Sequence, residues 1–381
     1  MNQDNRSRTP KPSMSDTDHS IEQHKPLAVT TTRHTDISTL LQPVPGRRQA
    51  MAGFDREFVD IVDYIIRITH RIWEEKNVGL IYDYYSHNCP IHTLAGQSFG
   101  AEAAVQGTLK ALGAFPDRTL YGDAVIWGGD DKQGFYSSHL ITSTATNTGD
   151  SEFGPATGKK ITFNTIADCV VKANRIVEEW LLRDNLSIAL QLGLNPHAIA
   201  QRQAAADREL SEPFHDWRLG EIDRVRAQTA PGKLPIPDNP VREPEAFARA
   251  VMHEIWNRRM FGKVRDIYAA NAVFQGPSGR RLYGHGEIIG NAIALMAALP
   301  DARISVDHVC AVATDTGEID IALRWTLAGN HEGGGLYGAP SGRRIMLLAA
   351  SHWRLNEGGK ICAESTIYDE LAVLRQVYGG G

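Results

Sequence analysis

The stretch covering residues 154–193 occurs twice in this 381-residue chain. Gly154-Pro155-Ala156-Thr157-Gly158, followed by Lys159-Lys160, returns 184 residues later as Gly338-Ala339-Pro340-Ser341-Gly342, followed by Arg343-Arg344. After a one-residue slip, Glu179 and Asp184 fall on Glu364 and Asp369. A carboxylate therefore holds the same place in both copies. A duplicated unit restricts the fold more than composition does, because one supersecondary arrangement must suit both copies.

The order of elements around the repeat also recurs. From Phe54, the residues Phe58, Ile61, Val62, Ile65, Ile66, Ile68, Ile72 and Trp73 follow helical spacing. Phe247, Val251, Ile255 and Trp256 begin the second copy in the same way. A further helix is expected over residues 101–112, stopped at Pro116-Asp117. Its counterpart over 287–299 is stopped at Pro300-Asp301. Strand-like segments rich in β-branched and aromatic residues follow at 121–127, 134–146, 160–172 and 175–183. Their counterparts are 304–312, 318–327, 344–355 and 360–368. The reading is α+β: two tandem cone-shaped α+β barrels, each with three helices packed on a strongly curved antiparallel sheet. The expected divisions are a disordered polar tail at 1–50, a first unit at 51–193, a helical and Pro-rich linker at 194–243, and a second unit at 244–381. His19, His24 and His34 in the tail are read as solvated.

Composition removes several classes of function. A net charge of −5 offers no general attraction to nucleic acid or anionic membrane. No apolar run reaches 18 residues, and the N-terminus has no apolar signal core, so a cytoplasmic protein is expected. Cys89, Cys169, Cys310 and Cys362 lie far apart and do not match between copies, which argues against zinc or disulfides and for buried free thiols. The Gly-rich turns lack a P-loop lysine and a following helix, and no G-x-S-x-G occurs.

The residues His92, Gly100, Phe115-Pro116-Asp117, Gly154 to Gly158, Glu179-Trp180, Asp184 and Gln191-Leu192-Gly193 carry a resemblance. So do Gly284, Pro300-Asp301, Gly329-Asn330-His331, Gly338 to Gly342, Glu364 and Asp369. Together they resemble the SnoaL-like polyketide cyclases, or ester cyclases, of the nuclear-transport-factor-like superfamily. The resemblance implies a small carbonyl substrate, an Asp general acid/base, an intramolecular aldol step, and no metal or organic cofactor. It also implies cones that pair through sheet faces, so the two units are expected to form an intramolecular pseudo-dimer. The alternative is a non-catalytic ligand- or partner-binding tandem module, since one fold hosts many functions. Two departures stand out: Asn147 replaces a histidine frequent in the family's hairpin loop, and Gln275 stands at the place of His92.

Strand alternation puts Trp180, Leu182 and Asp184 on one face, and Ser365, Ile367 and Asp369 on another. If those faces line the cones, the aspartates sit in apolar pockets that raise their pKa. The competing reading makes both aspartates helix caps. Asp168 and His352 are equivalent positions, and His352 is expected to face Asp369 across neighbouring strands. His331 lies on a glycine-rich loop able to cover a pocket mouth. The expected catalytic set is therefore Asp369, His352 and His331 in the second unit, with Asp184 and Asp168 in the first. His92, Asn147, Trp180, Trp325 and Tyr368 are the candidate substrate contacts. His139 is read as a core histidine.

Overall fold

The computed structural model describes residues 29–30, 41, 46–210, 212–228, 232–313 and 318–379. Most of the expected tail, with His19, His24 and His34, lies outside the described residues. Thr30 departs from the picture of a solvated tail: it is buried, and its amide and hydroxyl donate to Asp60 at 2.7 and 2.5 Å. The second Asp60 oxygen accepts from the Asp63 amide at 2.9 Å and caps helix α1 (Ile61–Trp73). That cap explains why the helix begins at Ile61 and not at Phe54. Phe54 and Phe58 instead pack edge-on against Tyr64.

A 3₁₀ turn leads into α2 (Ile81–Tyr84), and β1 (Pro90–Thr93) and β2 (Gly96–Phe99) form a hairpin. Then come α3 (Ala101–Ala114), β3 (Thr119–Asp130), β4 (Gly134–Thr146), β5 (Lys160–Lys172) and β6 (Arg175–Arg183). The sheet order is β2-β1-β6-β5-β4-β3. The β1–β6 junction is parallel, with Ile91 opposite Glu179, and the other junctions are antiparallel. No hairpin joins the first strand to the last, so nothing in the chain path requires them to be antiparallel. Short helix α4 (Asn185–Gln191) closes the unit. The linker carries α5 (Pro196–Asp207) and α6 (Glu212–Ala227), and Ile222 and Val225 of α6 are buried.

The second unit repeats this plan with α7 (Pro244–Met252), α8 (Val264–Ile267), β7 (Tyr268–Gln275), β8 (Arg281–Tyr283) and α9 (Gly284–Ala298). It continues through β9 (Arg303–Ala313), β10 (Ile319–Asn330), β11 (Arg344–Leu355), β12 (Ile361–Tyr368) and α10 (Glu370–Val377). The order β8-β7-β12-β11-β10-β9 mirrors the first sheet, including the parallel junction between β7 and β12. Two six-stranded α+β cones therefore stand in tandem. The first helix of the second copy is shorter and ends in a π turn, His253–Asn257.

The sheets meet through their outer faces. Ile126, Tyr136, Cys310 and Ala322 form an apolar patch there, with Val170, Trp180 and Val312 against it. The Tyr136 and His308 rings stack at 3.5 Å, and Arg324 lies 3.3 Å over the Trp180 ring. The Ser138 hydroxyl and His352 Nε2 are hydrogen-bonded at 2.7 Å, and Gln275 donates to Asn164 at 2.8 Å. Among the described residues no disulfide joins the cysteines: Cys89, Cys169 and Cys310 are buried, and Cys362 is half-buried with its thiol donating to the Arg354 carbonyl at 3.4 Å. No helix among the described residues is long and apolar enough to cross a membrane.

Candidate functional site: the cavity of the first cone

Which strand face lines a cone decides which side chains can meet a ligand. In the first cone the inward face carries His139 and Ile141 of β4, Thr165, Ala167 and Cys169 of β5, and Glu179, Leu181 and Arg183 of β6. Helices α1 and α3 cover the opening, and the enclosed cavity is about 260 Å³. Its wall is apolar except at a few points, which is the usual build of a small-molecule site.

Those points have chemical character. Glu179 is buried, and its Oε2 accepts from the Tyr85 hydroxyl at 3.2 Å. Burial raises its carboxyl to a pKa of about 7, against a smaller lowering by that hydrogen bond. His139 is buried on the cavity wall, and its Nε2 has no partner. Desolvation pushes its pKa down to about 3, so the ring is neutral at pH 7. Strand β3 bends close to that ring through a bulge at Gly122, where a Cβ would stand 2.9 Å from His139 Nε2 and 2.7 Å from Ile66. The Thr165 hydroxyl also lines the cavity without a partner. Arg118 enters from the start of β3, gives two hydrogen bonds to Ser143 Oγ at 3.2 and 3.0 Å, and lies 4.4 Å from the Trp73 ring. The site thus offers a poised carboxyl, a neutral imidazole, a phenol and two guanidiniums. Among the described residues no group of three or more His, Cys, Asp or Glu side chains is placed to hold a metal ion.

The profile of the SnoaL-like polyketide cyclases matches residues 64–192 and again 246–377. The chain belongs to the SnoaL-like polyketide cyclase family. Among solved structures it is similar to TsrD from Streptomyces laurentii, at 16% identity over 36% of this chain and 100% of that one, with a TM-score of 0.32. AclR from Streptomyces galilaeus shows 18% identity over 33% and 89%, with a TM-score of 0.28. IdmH from Streptomyces antibioticus shows 22% identity over 33% and 92%, also with a TM-score of 0.28. No curated protein matched.

Within this SnoaL-like pair, the second cone is filled. Trp325 and Trp353 stand where the first cone has Ile141 and Cys169, and both are fully buried. Glu364, the counterpart of Glu179, again receives a tyrosine hydroxyl, here Tyr268 at 2.5 Å. Its other oxygen accepts from Thr366 at 2.7 Å. Ser351 bridges Thr366 to the Trp325 indole N–H, at 2.6 and 3.0 Å. These polar groups answer one another, while the Trp353 indole N–H is buried without a partner.

The expected aspartates sit elsewhere. Trp180, Leu182 and Asp184 point away from the cavity, so the face expected to line the cone is the outer one. Asp184 caps α4 through the Ser187 amide at 3.1 Å and meets Gly279 of the second unit at 3.3 Å. Asp369 caps α10 through Ala372 at 3.1 Å and accepts from Asn185 at 2.6 Å. Burial raises its pKa to about 7, but both oxygens are engaged. His352 does not face Asp369: the register sets it opposite Ser365, and its Nε2 bonds Ser138. Asp168 binds the Tyr136 hydroxyl and lies 3.9 Å from Arg324, at the sheet junction. His331 and Asn147 fasten equivalent hairpin loops, to Ser341 at 3.1 Å and to Thr157 at 3.0 Å.

Of the expected substrate contacts, His92 and Trp180 stack at 5.1 Å in the cleft between the units, and His92 bonds Glu178 at 2.9 Å. Trp325 and Tyr368 pack together inside the second cone. None of the expected residues lines the first cavity. Glu179, Tyr85, Arg118 and Arg183 were missed. The recurrence of Glu179 as Glu364, and of Tyr85 as Tyr268, was the available signal.

Proposed function

We propose that the first cone is the reaction chamber of a cofactor-independent cyclase of polyketide type, and that the second cone is its scaffold. The observation that carries this reading is Glu179: a buried carboxyl near pKa 7, with one tyrosine partner, facing an open cavity. A base of that pKa suits proton removal at neutral pH. In the proposed step, ionised Glu179 takes a proton from the acidic carbon between two carbonyls. The electron pair moves into the enolate, whose carbon attacks a second carbonyl of the same molecule. A C–C bond forms, and the new alkoxide takes the proton back from Glu179. Neutral His139 and Thr165 supply hydrogen-bonding atoms for the enolate and alkoxide oxygens.

The outer-face contacts support a pseudo-dimer within one chain as the working unit. Tethering keeps the two faces at high effective concentration.

The test is to offer the full chain a panel of β-keto ester substrates able to cyclise, and to follow ring formation. Glu179→Gln should lower kcat by ~10² or more, the scale of lost general-base catalysis. Asp369→Asn and Asp184→Asn should leave kcat within about twofold, since asparagine caps helices as well as aspartate does. Loss of activity in either aspartate variant, with Glu179→Gln active, would return the chemistry to the capping positions.

A further inference from the structure

We infer that the ligand of the first cone carries a carboxylate, held by Arg118 at the end of the cavity away from Glu179. The inference rests on reading this cone as the ligand chamber, and it extends that reading to the substrate's charge.

Arg118 is 6% exposed and lines the cavity. Two of its donors share one acceptor, Ser143 Oγ. Its flat face is fixed between Trp73, at 4.4 Å, and Phe163, at 5.1 Å. Among the described residues no carboxylate forms an ion pair with it. Among the described residues the nearby cation, Arg183, has one counter-ion, the exposed Glu152 at 3.8 Å. Burial and the charge of Arg183 together push Arg118 down to a pKa of about 9. A buried guanidinium without an anion is an unfavourable arrangement, and a bound anion would correct it.

The placement along the strands separates the two functions. Glu179 lies opposite Cys169, whereas Arg183 lies opposite Thr165 and Ser143 opposite Phe163. Four residue steps along β6 lead from Glu179 to Arg183, a span of ~13 Å. One end of the cavity is therefore acidic and the other cationic. An elongated ligand would set its acidic carbon by Glu179 and its anion by Arg118. The planar fork of arginine matches the planar carboxylate in two parallel hydrogen bonds. The filled second cone has Ala302 at the place of Arg118 and Leu327 at the place of Ser143, both buried. The cation and the open space are lost together.

The experiment titrates the full chain with 2-naphthoate, indole-3-acetate and cinnamate, and with the methyl ester of each, by calorimetry. Each acid that binds should do so about tenfold or more tightly than its ester, the scale of one charge-assisted pair. Arg118→Gln should remove that preference and leave ester affinity unchanged. Arg118→Lys, which keeps the charge without the fork, should keep part of it. 1-Naphthyl phosphate serves as the tetrahedral arm, and tighter Arg118-dependent binding of it than of every acid would overturn the carboxylate assignment. Esters binding as well as acids, a preference that survives Arg118→Gln, or no binding of any acid at millimolar concentration would also overturn it. The wild-type comparison of acid with ester needs no variant, so a misfolded Arg118→Gln leaves the inference falsifiable. Glu179→Gln should retain the acid preference. Preference without Glu179-dependent turnover would sink the catalytic reading alone, and turnover without preference would sink this one alone.

Discussion

Glu179 and Asp369 have the same raised pKa, about 7, with burial as the leading cause. They differ in what their oxygens meet. Asp369 is closed by the Ala372 amide and the Asn185 amide group, while Glu179 has Tyr85 and then open cavity. A perturbed carboxyl is common where a chain is buried; the unfilled side is what gives it a use. If ionised Glu179 is the base, log kcat/KM should rise with unit slope up to about pH 7 and then level, a profile readable from initial rates between about pH 5 and 9. A flat profile would count against it. Stability should move the opposite way. Native Glu179 keeps its proton between about pH 4.5 and 7, where the unfolded chain has lost it, so stability falls as pH rises through that window. Glu179→Gln lacks this liability. In urea melts it should exceed the wild type by up to about 3 kcal/mol at pH 8 and match it below about pH 4.5.

At the scale of elements, much of the fold was legible. Strands β4, β5, β6 and β11 have the limits that their β-branched and aromatic runs imply, because glycines, basic pairs or the Ala173-Asn174 turn bound them. The parity of those strands was not legible. Both faces are apolar, since one meets the helices and the other meets the partner sheet, so alternation carries little contrast. Ile166 and Leu182 outside look no different from Ala167 and Leu181 inside. The opposite parity puts Trp180, Leu182 and Asp184 on the cavity face, where the structure has Glu179, Leu181 and Arg183. Capping was the competing reading for both aspartates, and the short helices α4 and α10 give it its geometry. Asp184→Ala and Asp369→Ala should each cost ~1–2 kcal/mol in chemical denaturation, the scale of a lost cap. No loss in either would remove the caps as their reason for being there.

At the scale of the molecule, the two sheets cover each other's outer faces, and that cover comes from within one chain. Expressed apart, residues 46–193 and 232–379 should self-pair or aggregate in gel filtration, while co-expression should recover a 1:1 complex. Two well-behaved monomers would contradict the pairing. The filled second cone has its own consequence. Trp325 and Trp353 occupy their chamber permanently, so that half behaves as a receptor saturated by a ligand it can never release. A small molecule binding the native state raises stability only where there is a vacancy to fill. Ligand should therefore slow amide exchange in α1, α3 and β4 and leave β10 and β11 unchanged. On the proposed reading, one half of the molecule would respond to a bound ligand, while the other half would hold constant and serve as the reference against which that response is measured.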